Sequence, residues 1–141
     1  MKLLVIGAGM MGSAAAYDMA RQAHVSEVTL ADSDAKRVKD AVARVNKLAG
    51  GKKVKGASVD ASNPKKAAKL MKGHDGVLSA VPYFFNLGLA KAAIESKCHF
   101  ADLGGEDRGL ATERAEATSE GGWARHWEQD TRQAHCGHCE R

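Results

Sequence analysis

Residues 2–12, KLLVIGAGMMG, decide the fold of this chain. The unbroken apolar run at 3–6 is typical of a parallel strand that is buried on both faces. Three glycines follow it directly in G-x-G-x-x-G spacing, and the stretch 13–22 that comes next predicts a helix. A second apolar run at 28–31 predicts the strand that completes a β-α-β unit.

Each glycine in this spacing has a separate physical task. Gly7 allows the tight turn, Gly9 lets the backbone approach a pyrophosphate, and Gly12 lets helix and strand pack closely. The helix N-terminus, with its free N–H groups and positive dipole end, then faces the phosphates. Asp32 ends the second strand and can accept both hydroxyls of an adenosine ribose, which predicts a preference for NAD. The unit is therefore a predicted dinucleotide-binding site.

Two other interpretations fit the first residues less well. A glycine-rich turn can pack without a ligand, but the acid at the end of the second strand then has no explanation. A secretory signal peptide would need Lys2, an apolar stretch and the small residues 13–16, and three glycines interrupt that stretch. A matching second strand also argues against a signal peptide.

Composition excludes several classes of protein. The 141 residues suffice for one domain with a real core, and no stretch approaches the roughly 20 apolar residues of a membrane span. The net charge of +4 comes from scattered lysines, and aromatic residues are few, so neither a nucleic-acid partner nor a membrane is expected. Cys98 lies alone in a predicted strand, while Cys136 and Cys139 share the C-terminus, so no disulfide framework is indicated. The fold suggests a reducing, cytoplasmic location.

Strands and helices alternate up to about residue 105. Helices are predicted at 34–48, 64–71 and 86–96, and further strands at 54–59, 76–81 and 99–103. This alternation predicts an α/β fold, a Rossmann-type doubly wound parallel sheet in the order 3-2-1-4-5 over residues 1–105.

Ligands of such sheets lie beyond the carboxyl ends of the strands, where the strand order reverses. Asp60, after the third strand, can accept from an adenine amino group or can simply stabilise a turn. The end of the fourth strand can line the nicotinamide ribose. His74 and Asp75 precede that strand, where an acid–base pair is the alternative to ordinary polar loop residues.

Four stretches in this order resemble the saccharopine dehydrogenase family, and within it the lysine 6-dehydrogenases. They are the glycine fingerprint, VTLAD at 28–32, SAVPYFFN at 79–86 and ADLGG at 101–105. The resemblance implies a chain that binds NAD, or NADP, and serves an oxidoreductase of the C–N bond of an amino acid. It carries over cofactor contacts to the pyrophosphate (Gly7, Gly9, Met10, Met11, Gly12), the ribose (Asp32), the adenine (Asp60, Ala61) and the nicotinamide side (Ala80, Val81, Pro82).

Residues 106–141 depart from the family pattern. They contain no Lys, five Arg and both tryptophans of the chain, with no apolar run long enough for a buried strand. When these residues are written as degenerate codons and the reading frame is shifted forward by one base, the translation resembles the sequence that family members carry after ADLGG. We therefore predict that the tail is an out-of-frame translation and that it is irregular or partly helical. The motif HCGHC at 135–139 has zinc and redox-dithiol interpretations, but spare cysteines are the preferred one and no metal is expected.

We expect the chain to be a catalytically incomplete fragment in which no catalytic residue can be assigned. Its substrate domain would be supplied by a separately encoded chain, and a homo-oligomer is a further expectation. A stand-alone dinucleotide-binding or sensor module is the alternative. The homoserine and ketopantoate dehydrogenases share the glycine fingerprint, but the stretch 79–86 argues against them.

Overall fold

The structure, a computed structural model, describes residues 1–103. Five parallel strands form one sheet in the order β3-β2-β1-β4-β5, which confirms the predicted Rossmann-type fold. The strands are β1 (Lys2–Ile6), β2 (Glu27–Asp32), β3 (Val54–Ser58), β4 (Gly76–Ser79) and β5 (His99–Asp102). The helices are α1 (Met10–Arg21), α2 (Ala35–Ala49), α3 (Pro64–Met71) and α4 (Asn86–Glu95), with a one-turn 3-10 helix at Tyr83–Phe85. The predicted tail, with its cysteine and histidine motif, lies outside the described residues.

The core has two layers because successive side chains of a strand point to opposite faces of the sheet. Leu4 and Ile6 face the cluster that includes α3 and α4, whereas Val5 faces the cluster that includes α1 and α2. Burial on both faces explains the unbroken apolar run of β1, as expected of a central parallel strand. Within residues 1–103, no helix is long and apolar enough to cross a membrane.

Helix α1 begins three residues before the predicted Ser13, at Met10. Gly9 is its N-cap residue, and the Gly9 carbonyl accepts from the Ser13 N–H at 2.9 Å, which starts the helical hydrogen bonding. Gly12 therefore lies in the first turn of the helix and not in the loop before it. The glycine fingerprint is part loop and part helix.

Helix α4 buries part of the apolar stripe that its spacing predicts. That stripe comprises Leu87, Leu89, Ala90, Ala93 and Ile94. Leu89 and Ala93 are buried, and Ala92 joins them on the same face at i, i+3 and i+4. Ile94 is instead 41% exposed, because five residues after Leu89 it points about 140° away around the helix.

Candidate functional site

The carboxyl ends of β1 and β4 lie side by side at the point where the strand order reverses. Parallel pairing aligns Ile6 with Ser79. Beyond this pair, the glycine-rich loop follows β1 and the segment 80–85 follows β4, and the general rule for such a switch point places a crevice between the two segments. In α/β sheets this is where ligands bind.

Gly7 is required by its own backbone. Its φ of +109° lies in a region that L side chains rarely adopt, and its N–H donates to the Ala31 carbonyl at 2.7 Å. A Cβ at this position would also meet the Ala80 carbonyl oxygen at 2.5 Å. Any side chain here would push the two loops of the crevice apart.

Gly12 is required by packing. A Cβ on Gly12 would collide with the carbonyl oxygen of Gly7 and lie 3.3 Å from the Ala80 Cβ. The absence of a side chain thus lets the first turn of α1 press against the end of β1, as the glycine spacing predicts.

Neither the backbone conformation nor the packing requires a glycine at position 9. Its φ of −71° suits any residue, and a Cβ built on it has no neighbour within 4 Å. The space beside it is open, while the first-turn N–H groups of α1 have no partner within the helix. No side chain caps this end and no acidic residue lies in the first turn, so a positive helix terminus faces open space beside a small residue.

Met10 and Met11 form the start of α1 with their side chains exposed. Their backbone N–H groups are two of those that the helix itself leaves unpaired. The arrangement suits a phosphate group, because N–H donors and the helix dipole both favour a negative charge there.

Asp32 ends β2 with its carboxylate already engaged. Oδ2 accepts from the Ala8 N–H at 2.8 Å, and Oδ1 accepts from the Asp34 N–H at 3.1 Å and the Ser33 hydroxyl at 3.3 Å. Partial burial alone would raise the pKa of Asp32. The hydrogen bonds from Asp34 and Ala8, with the nearby Arg37 and the Ser33 hydroxyl, outweigh burial and lower it. The side chain is 11% exposed and charged at neutral pH.

The carboxylate of Asp32 keeps acceptor capacity for a ligand. A carboxylate offers about four lone-pair sites, and three hydrogen bonds use three of them. The Arg37 Nη1 stands 3.6 Å from Oδ2 on an exposed side chain, and the Ser33 hydroxyl is on an exposed residue. Both groups can move aside, so the carboxylate can accept from ribose hydroxyls without losing its bond to Ala8.

Asp60 lies in the turn after β3. Its Oδ1 accepts from both the Ser62 hydroxyl at 2.7 Å and the Ser62 N–H at 2.9 Å, and these bonds lower its pKa. The preceding Val59 N–H donates to the Asp32 carbonyl at 3.1 Å, which brings this turn beside the end of β2. The turn role is thus observed. Since both bonds end on one oxygen, the other oxygen keeps acceptor capacity for a ligand. The neighbouring Ala61 packs partly buried against the core.

Strand β4 ends at Ser79, two residues before the predicted end, although the Ala80 N–H still donates to the Ile6 carbonyl at 2.8 Å. Pro82 has no N–H for a sheet, and its carbonyl instead accepts from Phe85 at 3.1 Å. Val81 is half-buried against the core cluster on the α3–α4 face. Tyr83 and the next residue are exposed beyond it. This one-turn helix was not predicted.

His74 and Asp75 do not join the crevice. The Asp75 carboxylate accepts from the Lys2 N–H at 2.6 Å, and His74 Nε2 lies 2.9 Å from the Thr29 hydroxyl. Both precede β4, at the amino edge of the sheet opposite the glycine-rich loop. Their hydrogen bonds join the start of β4 to β1 and β2.

The chain matches the family described as the saccharopine dehydrogenase NADP-binding domain over residues 3–135. The chain belongs to this family. It is an NAD(P)-binding Rossmann domain of an oxidoreductase family, and the family match continues beyond the quoted motifs, which end at residue 105. The resemblance to the saccharopine dehydrogenase family is confirmed.

Solved structures share the fold. Saccharopine dehydrogenase (L-Glu forming) from Saccharomyces cerevisiae superposes with a TM-score of 0.62 at 24% identity, covering 80% of this chain and 24% of that one. A UDP-glucose-4-epimerase from Stenotrophomonas maltophila with bound NAD gives 0.60 at 22% identity, covering 72% and 36%. Quinate dehydrogenase from Corynebacterium glutamicum in complex with NAD gives 0.51 at 20%, covering 70% and 43%. This chain therefore spans about a quarter of the length of the yeast enzyme.

Proposed function

We propose that this chain is the cofactor-binding part of an oxidoreductase that acts on the C–N bond of an amino acid, and that it prefers NAD to NADP. The observation that carries the proposal is Gly9. Neither backbone conformation nor packing requires a glycine there, and the open space beside it adjoins the N-terminus of α1. A pyrophosphate that approaches the backbone supplies the missing reason.

The proposed contacts divide the dinucleotide among four strand ends. The pyrophosphate lies on Gly7, Gly9 and the first-turn N–H groups of Met10, Met11 and Gly12. The adenosine half meets Asp32 at its ribose and the turn of Asp60 and Ala61 at its base. Ala80, Val81 and Pro82 line the nicotinamide half. When bound, the nicotinamide ring supplies the site that accepts or donates a hydride.

In this proposal residues 1–103 hold the cofactor, and the groups that bind the amino acid lie outside them. The only titratable side chain in the segment 80–85 is the phenol of Tyr83. Hydride transfer also needs a substrate carbon held at about 3–3.5 Å in a site that excludes water. We therefore expect this chain to bind the cofactor without catalysing turnover. We also propose that it acts in the cytoplasm.

Calorimetry with NAD and with NADP tests the binding proposal. The native chain should bind NAD, and Gly9→Asp should weaken binding by at least about tenfold, because a carboxylate would occupy the phosphate position and repel it. Gly51→Asp is the matched control, since a Cβ added to Gly51 also has no neighbour within 4 Å, but this glycine lies after α2 and away from the crevice. Equal affinity in the native chain and Gly9→Asp would contradict the proposal.

A separate assay tests the expectation that the chain binds the cofactor but does not catalyse the reaction. The purified chain is mixed with NAD and lysine or saccharopine, and the formation of NADH is followed by absorbance. We expect no saturable turnover. Turnover that disappears in Gly9→Asp would show that the chain carries its own catalytic groups.

A further inference from the structure

We propose that Ser79 and Asn86 are positioning residues for the nicotinamide half of the cofactor, because their hydrogen bond fixes the segment 80–85. The proposal rests on the cofactor position given under the proposed function. It assigns a role to two residues that are not among the proposed cofactor contacts.

The two side chains form a buried clasp across the segment. The Ser79 hydroxyl donates to Asn86 Oδ1 at 2.7 Å, and the residues are 1% and 5% exposed. Ser79 is the last residue of β4 and Asn86 the first of α4. The six residues between them connect β4 to α4, and the clasp joins the two ends of this connection.

The β4 side of the clasp is anchored in the sheet. Ser79 aligns with Ile6 in the central strand, and its carbonyl accepts from the Leu103 N–H at 3.3 Å. Neighbours on both sides therefore hold its backbone, and the hydroxyl starts from a fixed point.

The α4 side is anchored by helix packing. Leu89 and Ala93 are completely buried in the core. Gly88 lies so close to α3 that a Cβ on it would meet the Pro64 ring at 3.0 Å. Since α4 cannot shift easily, the bond from Ser79 sets the distance between two rigid elements.

The segment that the clasp holds forms one wall of the crevice. A Cβ on Gly7 would lie 2.5 Å from the Ala80 carbonyl oxygen and 3.2 Å from a methyl carbon of Val81. The wall thus already touches the turn of the glycine-rich loop. A small shift of the segment would change the width of the crevice beside Ala80, where the nicotinamide ribose would lie.

A purely structural clasp is the competing explanation, because buried polar groups are normally paired. The two explanations differ in what they predict for parts of the cofactor. A structural bond affects stability and all ligands alike. A positioning bond affects the nicotinamide half, while the adenosine half, held at β2 and α1, keeps its affinity.

The experiment compares NAD with ADP, which lacks both the nicotinamide ring and the ribose that carries it. In Ser79→Ala, calorimetry should show NAD affinity about tenfold lower, with ADP affinity changed by no more than about twofold. Ser96→Ala is the matched control, because its hydroxyl also joins two elements of the fold, donating from the end of α4 to the Ala68 carbonyl of α3 at 2.9 Å. That variant should lower Tm without changing the affinity ratio.

Each outcome decides between the proposals. Equal loss of NAD and ADP affinity in Ser79→Ala, or no loss of either, would overturn the positioning role. A native chain that binds neither ligand would refute the proposed function instead. Should Ser79→Ala not fold, Ser79→Cys retains a weaker donor of similar size and should change the same ratio in the same direction by a smaller factor.

Discussion

The N–H of Ala8 donates to Oδ2 of Asp32 over 2.8 Å, and so joins the glycine-rich loop to the end of β2, 24 residues further on. The Asp32 backbone lies at the switch from strand to helix α2, and its carboxylate also accepts from the N–H of Asp34. One side chain therefore organises the loop beside the proposed pyrophosphate position and the strand end beside the proposed ribose position.

Asp32→Ala should remove the expected preference for NAD. The carboxylate repels a 2′-phosphate and accepts from free ribose hydroxyls, so its loss should weaken NAD about tenfold and leave NADP equal or stronger. Calorimetry at low ionic strength measures both affinities. Asp34→Asn is the control, because it removes a nearby charge while an Asn can still cap α2. Equal affinities for the two cofactors in the native chain would contradict this prediction.

Asp32 should also make stability depend on pH in the acid range. Its folded-state pKa is lowered below the ordinary 3.8, so the folded chain holds the charged form more tightly than the unfolded chain does. This contribution is complete at pH values above about 5 and is lost as the pH falls through the folded-state pKa. Urea unfolding at several pH values should show the difference between the native chain and Asp32→Asn narrowing toward acid. A difference that is independent of pH would rule the contribution out.

Gly9 and Gly12 should separate binding from stability. Gly12→Ala places a methyl group against the Gly7 carbonyl and should lower the free energy of unfolding by about 2–3 kcal/mol. Gly9→Ala meets no neighbour and should change it by no more than about 1 kcal/mol, the cost of replacing a glycine N-cap with alanine. Denaturant unfolding checks both values. Similar losses in the two variants would mean that Gly9 is also a packing residue.

Gly50 and Gly51 offer a test of backbone cost without steric contacts. Gly50 ends α2 with a φ of +68°, and neither glycine has an atom within 4 Å of a Cβ. Gly50→Ala should therefore destabilise by about 1 kcal/mol, from the left-handed conformation alone. Gly51→Ala has no positive φ and should leave Tm unchanged or slightly higher. An equal change in both would remove the conformational explanation.

The order of the strands follows from the sequence because each apolar run is separated from the next by a helix. Right-handed crossovers then leave few topologies, and the fingerprint after β1 fixes where the order reverses. The backbone and packing roles of two glycines were predictable from their spacing. The separate tasks of Gly7 and Gly12 are visible in the spacing, and the structure gives each of them its steric cause.

Contacts between distant residues were not predictable in this way. The bond from Ala8 to Asp32 involves a backbone donor that carries no sequence signal. The clasp of Ser79 and Asn86 lies inside a quoted motif, but only the fold shows that α4 returns its first residue to the end of β4. The start of α1 was missed because a glycine-rich stretch looks like a loop, whereas here the last glycine is helical.

Five of the eleven proposed cofactor contacts are made by residues with little or no side chain: Gly7, Gly9, Gly12, Ala61 and Ala80. An alanine scan would therefore pass over nearly half of this surface, since it removes atoms that these residues do not have. Mutational mapping of such a site has to add bulk or charge instead. Its contours would appear as the positions where a larger residue abolishes binding and leaves the folded chain intact.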